Sequence, residues 1–189
     1  MIRTRHERPA TRRLGVAGEV WHLAKRFAGS LKPGPPSSAD EEWARSQLLP
    51  GERRVWDTMS NPDRRHACTV ARAVDAELSG RADRPVVAAA LLHDSGKVVS
   101  GLRTPARVVA TCFWLVAGDG TAAEWRCDAS IVKRRLAQYR LHPTIGADQL
   151  AAVGSDPLTV DWTREHHLPP EQWTVPADVA NVLKSCDDD

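Results

Sequence analysis

Prolines and glycines cut this chain into short apolar segments whose spacing is helical, and that punctuation makes an all-α bundle the natural fold class. Asn61-Pro62 opens a segment carrying His66, Val70, Ala73 and Val74. Pro85 opens the very apolar run Val86 to Leu92, with Gly96 after it. Thr104-Pro105 reads as an N-cap and first-turn proline for a helix that stops near Gly118. Further helices are predicted from about Ala129 to Leu141, from Pro143 to Gly154 and from Asp156-Pro157 to Pro169-Pro170. Pro176 opens the last, with Val179, Val182, Leu183 and Cys186 at i, i+3, i+4 and i+7. Ser38 or Asp40 is placed to cap an earlier helix carrying Trp43 and Leu48. No stretch alternates as a half-buried strand does, and no segment repeats. The seven tryptophans read mostly as helix-packing residues of such a bundle.

The first residues differ in character. Residues 1–33 hold eight Lys/Arg against two acids, whereas the whole chain carries a net charge of only +2. Residues 14–30 predict a helix with Val16, Val20, Leu23, Ala24 and Phe27 on one face, and Leu31 to Ser38 (LKPGPPSS) is a Pro/Gly/Ser connector. The expected division is therefore a basic arm over 1–38 and a helical body over 39–189. The arm suits a weakly bound anionic partner, nucleic acid or lipid, or else is a solvated terminus. The longest apolar run, Val108 to Gly118, falls short of the roughly 18 residues a membrane span needs, so no transmembrane segment is expected. Arg12-Arg13 is followed by Glu19, His22, Lys25 and Arg26 rather than an apolar signal core, and the four cysteines form no CxxC pair. A cytoplasmic protein with reduced thiols is the expectation.

The chemistry concentrates on histidine. Five of the seven histidines lie in the body, and His93 is followed directly by Asp94 at the end of the most apolar segment. An imidazole and a carboxylate side by side can both reach one cation, and an unpaired aspartate there would be costly to bury. The alternative is a His–Asp hydrogen bond satisfied within the core.

The stretch Ala88 to Lys97, with LLHDSGK at its end, resembles the signature of the HD-domain phosphohydrolases. That superfamily is all-helical, and its metal ligands occur in the order His, His-Asp, Asp. The resemblance covers roughly residues 60–189. It implies His66, His93, Asp94 and Asp187 as metal ligands. His142-Pro143-Thr144-Ile145-Gly146 and Glu165-His166-His167 are similar to the HPxxG and HH segments of the HD-GYP branch, which implies His142, His166 and His167 as ligands of a further metal. The chain continues Leu168-Pro169-Pro170 where that branch has its GYP loop, so that branch's cyclic dinucleotide does not carry over.

The resemblance implies a metal-dependent phosphohydrolase with one or two divalent transition metals (Fe, Mn, Co, Ni or Zn) and a small phosphorylated substrate, a nucleotide or another phosphate ester. Asp94 and Lys97 would be its catalytic residues, Lys97 holding a substrate phosphate as a point charge. A catalytically silent regulatory module that binds metal or nucleotide, recruited through its basic arm, is the competing reading, and a helical adaptor without metal is a third. Each residue keeps a plain alternative. His66 would be a helix-surface histidine beside Arg64 and Arg65. Asp187 would belong to a solvated acidic tail, or be held mainly when metal is bound. His142, His166 and His167 would be structural, since adjacent helical residues point about 100° apart. Lys97 would be a surface lysine. Arg134, Arg135 and Arg140 either steer anions or form a solvated face. Glu165 either orients a histidine or sits on the surface, the latter being the first expectation.

Overall fold

The computed structural model describes residues 34–117 and 122–188, and among these it is all-helical, with ten α-helices, two short 3-10 turns and no strand. In chain order the helices are α1 (Ser38–Gln47), α2 (Pro50–Thr58), α3 (Asn61–Glu77), α4 (Arg84–Leu92), α5 (Thr104–Ala117), α6 (Ala122–Trp125), α7 (Ile131–Arg140), α8 (His142–Ala152), α9 (Pro157–Glu165) and α10 (Ala177–Asp188). The 3-10 turns are Ser95–Ser100 and Pro170–Gln172. Residues 1–33, with the helix expected over 14–30, lie outside the described residues, as do Gly118 and Asp189. No helix among the described residues is long and apolar enough to cross a membrane.

Local chemistry explains most boundaries. Ser37, one residue before the expected cap, accepts the Asp40 amide at the start of α1; Ser60 and Asp156 do the same for α3 and α9. Prolines occupy the first turn of α2, α3, α4, α8 and α9, where their missing N–H has no partner to lose. Glu52 closes α2 from within: its carboxylate accepts the Leu49 amide at 2.8 Å and Arg84 Nη1 at 3.0 Å.

Every residue of α4 from Val86 to Leu92 is buried, because α4 runs through the middle of the bundle between α3, α9 and α10. A helix that is apolar all round has to sit there. Trp56 and Trp162 complete the core around it, fully buried. The consequence is that His93 and Asp94, directly after α4, emerge at the centre of the protein.

The turn after Asp94 is clamped onto α8. A β-carbon on Gly96 would lie 2.1 Å from the His142 carbonyl oxygen and 2.7 Å from the Gly146 amide, both backbone atoms. A β-carbon on Gly146 would in turn meet Gly96 N at 3.0 Å and Ser95 Oγ at 3.1 Å. The two glycines let the Asp94 turn and the His142 turn touch. Gly96→Ala is expected to destabilise the fold by about 3 kcal/mol through overpacking, read as a lower urea midpoint at unchanged m-value.

Candidate metal centre

Three helix C-termini converge on one point. His93 is the C-cap of α4, His166 the C-cap of α9, and His142 directly succeeds the last residues of α7. Each of the three donates its Nδ1–H to a carbonyl three residues earlier: His93 to Ala90 at 2.9 Å, His142 to Tyr139 at 2.7 Å, His166 to Thr163 at 2.9 Å. Those carbonyls belong to last turns, where carbonyls outnumber the amides left to take them. Because a carbonyl only accepts, the bonded nitrogen must carry hydrogen. That leaves Nε2 of the neutral rings as a lone pair directed at the site.

Asp94 stands where these lone pairs meet. Its Oδ1 is 3.3 Å from His142 Nε2 and 3.7 Å from His166 Nε2. Its Oδ2 is 3.4 Å from His93 Nε2 and forms a close ion pair with Lys97. Asp187 adds a second carboxylate: its Oδ1 accepts from His66 Nε2 at 3.0 Å and lies 3.5 Å from His93 Nε2. His93, Asp94, His142, His166 and Asp187 are all at least nine-tenths buried. His66 is about one-third exposed, with a side-chain accessibility of 32%, and His167 opens to solvent.

Two groups of donor atoms result, each with its members within 4.8 Å of one another: His66, His93 and Asp94 form one, and Asp94, His142, His166 and His167 the other. Asp94 belongs to both. Nε2 of His93, His142 and His166 and Oδ1 of Asp94 are buried without a hydrogen-bond partner. Four such atoms facing one another are costly unless a cation satisfies them. The set mixes imidazole with carboxylate, and His93 and His166 lie at the negative ends of α4 and α9. This buried His/Asp group can hold a metal ion.

The electrostatics of the metal-free site arise from two buried carboxylates. Burial disfavours a charge on Asp94, but Lys97 and His93 outweigh it and hold the carboxyl well below its ordinary range. Burial also opposes a charge on His93; Asp94 and Asp187 reverse that and push its pKa up to about 10. His142 goes the other way, lowered to about 4 chiefly by burial, and burial lowers His166 as well. Lys97 is raised, since its pairing with Asp94 overcomes its own desolvation. Without metal, a protonated His93 and Lys97 balance the two aspartates.

All seven sequence-derived ligand candidates thus come together, and the plain alternatives for several give way. Asp187 lies on an unbroken α10, buried and already paired with His66, rather than on a solvated tail or waiting for metal. His166 and His167 escape the 100° problem because the helix ends at Glu165, which brings their rings to 4.1 Å centre to centre. Lys97 is not a surface lysine, its side chain being 18% accessible. Glu165 is buried and neither orients a histidine nor sits on the surface. It grips the next loop, accepting the Thr174 amide at 2.7 Å and the Thr174 hydroxyl at 2.6 Å. Tyr139 is a neighbour of the site that sequence reasoning missed. It stacks on His142 at 5.8 Å, and its position three residues before a helix-terminal histidine is the signal that could have found it. Of the three arginines before His142, Arg134 bonds the Asp128 carbonyl, while Arg135 and Arg140 are exposed.

Asp187→Asn is expected to weaken metal binding about 10- to 100-fold on the His66/His93 side only, leaving the His142/His166/His167 group loaded, as elemental analysis after mild chelation would show. Compared with protein-family models, with curated proteins and with solved structures, the chain matches none.

Proposed function

We propose that this chain is an HD-type metal-dependent phosphohydrolase acting on a nucleotide or another small phosphate ester. The observation that carries the reading is the set of buried Nε2 atoms of His93, His142 and His166, each fixed by its own Nδ1–H bond and aimed at Asp94. A transition metal bound there supplies Lewis acidity toward a phosphoryl oxygen and a water whose pKa falls to roughly 7. The chain's own residues do the rest. Asp94, shared by both donor groups, would serve as a ligand from either. His93 and Asp187 with His66 would hold one, and His142, His166 and His167 the other. Lys97 is neutralised by Asp94 in the metal-free protein. With Asp94 among the residues holding a metal, Lys97 would be the group that meets a substrate phosphate. His66 and His167 are the two candidate ligands with exposed surface, and substrate would approach past one of them.

The Lys97–Asp94 pair also favours a second reading, a regulatory module that binds metal or nucleotide without turnover. A lysine seated on that shared carboxylate satisfies it without metal.

Elemental analysis of protein purified without chelators, alongside His93→Ala and a broad phosphoester panel, tests both. One or two transition metals per chain, lost in the variant, together with metal-dependent hydrolysis, is the expected result. Bound metal with no hydrolysis of any phosphoester supports the silent module. No metal, even after anaerobic loading with iron or manganese, overturns the metal reading altogether.

A further inference from the structure

Of the three histidines whose Nδ1–H is held by a helix-end carbonyl, His142 alone receives that carbonyl and a flanking ring from one residue. Ala90, which holds His93, has only a methyl group. Thr163, which holds His166, turns its hydroxyl back to the Thr159 carbonyl at 2.8 Å. Tyr139 accepts His142 Nδ1–H on its carbonyl at 2.7 Å and lays its ring against the imidazole, with centroids 5.8 Å apart and planes 29° from parallel.

The two contacts do different things. A hydrogen bond tolerates roughly 30° of bend, so by itself it lets the imidazole tilt, and the Nε2 lone pair tilts with it. An aromatic ring against one face restricts that tilt, and rings attract at centroid separations of roughly 4.5–7 Å. His167 stands edge-on to the same imidazole, 5.2 Å away at 82°. His142 Nε2, buried without a hydrogen-bond partner, is thereby kept 3.3 Å from Asp94 Oδ1.

The tyrosine is held in turn from α5. Thr111 Oγ1 donates to the Arg107 carbonyl at 3.0 Å, which engages its one hydrogen, so Tyr139 Oη is the donor in its 3.2 Å contact with Thr111 Oγ1. Trp114 Nε1 donates to the Leu136 carbonyl at 3.1 Å and ties α5 to α7 a turn further along. Arg107 fixes α5 from its other end, bonding Asp63 Oδ1 at 2.6 Å and the Leu102 carbonyl at 2.8 Å. Helix α5 carries no candidate ligand, yet these contacts lead from it to His142.

We propose that Tyr139 is the positioning residue of the His142 half of the metal centre: its ring, tied to α5 through Thr111, holds the imidazole in the orientation in which Nε2 takes a metal ion. The inference rests on the reading of His142 as a metal ligand, and it adds α5 to the parts of the protein that set metal affinity.

The test is the zinc affinity of the full-length chain, by competition with a chromophoric chelator, for wild type, Tyr139→Leu, Tyr139→Phe, His142→Ala and the double variant Tyr139→Leu/His142→Ala. Removing the ring is expected to weaken zinc binding about tenfold or more, as loss of a group that orients a ligand does. Tyr139→Phe keeps the ring and the carbonyl and should stay within about threefold of wild type. In the His142→Ala background Tyr139→Leu should cost nothing further, because Tyr139 acts through His142. Equal losses in the two backgrounds would make Tyr139 a packing residue only and overturn the proposal, as would wild-type affinity in Tyr139→Leu. Should Tyr139→Leu fold poorly, Thr111→Val releases the tether without touching α7. It should lose about threefold in affinity when His142 is present and nothing in His142→Ala, and any other pattern overturns the proposal. A wild type that takes up no zinc, iron or manganese overturns the metal reading and this inference together, whereas a loaded wild type with additive variants overturns this inference alone.

Discussion

Asp94→Asn is expected to empty the whole metal centre, whereas Asp187→Asn disturbs one half. The Asp94 carboxylate reaches His142 and His166 through Oδ1, at 3.3 and 3.7 Å, and His93 and Lys97 through Oδ2. It is the one residue common to both groups of donor atoms. An amide of the same shape offers one weak oxygen donor and no charge, so an ion among His142, His166 and His167 loses its one carboxylate and an ion beside His66 and His93 keeps Asp187 alone. Metal activation supplies several kcal/mol of transition-state stabilisation, and each 1.36 kcal/mol is tenfold in rate, so the proposed hydrolysis should fall about a thousandfold or more. The metal-free protein should suffer as well. Asp94 is the counter-charge of both Lys97 and protonated His93, and leaving a buried charge unpaired costs on the order of 3 kcal/mol. Elemental analysis and urea unfolding of the same preparation read the two effects separately. An Asp94→Asn protein that retains full metal would remove Asp94 from the centre. One that loses metal yet unfolds at the wild-type midpoint would mean that His93 sheds its proton when Asp94 is neutralised.

The sequence is informative about this site because the site is made from helix ends. A proline-opened apolar run ending in His-Asp says both that α4 is buried and that His93 and Asp94 emerge inside the bundle. Likewise the HPxxG and HH segments coincide with helix boundaries at His142 and His166. The contacts between those ends are not displayed in the sequence. Gly96 against Gly146 is a packing of two backbones from distant segments, and no local pattern encodes it. The hydrogen bonds to Ala90, Tyr139 and Thr163 use main-chain carbonyls, so the side chains at those positions carry no trace of the role. Glu165 illustrates the converse. A glutamate beside two histidines invites a role in orienting them, or a place on the surface, yet tertiary structure turns it toward Thr174. Among the helices, α2 and the four-residue α6 are not legible in the sequence. Met59 and Ser60 alone separate α2 from α3, and α6 offers one turn where periodicity needs three. The apolar run Val108 to Gly118 suggests a buried helix, whereas α5 leaves Val108 and Val109 exposed. Helical period shows which residues share a face but not which face turns inward.

Metal affinity should depend steeply on pH, and the dependence should reveal which half of the centre fills first. Asp94 and Asp187 keep His93 protonated in the metal-free protein, with its pKa pushed up to about 10. A metal that takes His93 Nε2 must expel that proton, so apparent affinity should rise roughly tenfold per pH unit between about pH 7 and 9, with about one proton released per ion. His142 is lowered to about 4 and His166 is lowered too, so both are already neutral at pH 7. An ion entering their half releases no proton, and its affinity should be flat over the same interval. Calorimetric titration in buffers of different ionisation enthalpy distinguishes the two. The same charges set the stability of the metal-free protein. Stabilisation from the raised His93 is fully present below its ordinary pKa of 6.5 and is lost as pH climbs through about 10. Stabilisation from the depressed Asp94 is present above its ordinary 3.8 and is lost as pH falls through its lowered value. Metal-free stability should therefore hold between those limits and decline outside them. A first ion that binds without pH dependence would place it with His142, His166 and His167, and would leave His93 as the imidazolium that holds the two aspartates together until a second ion arrives.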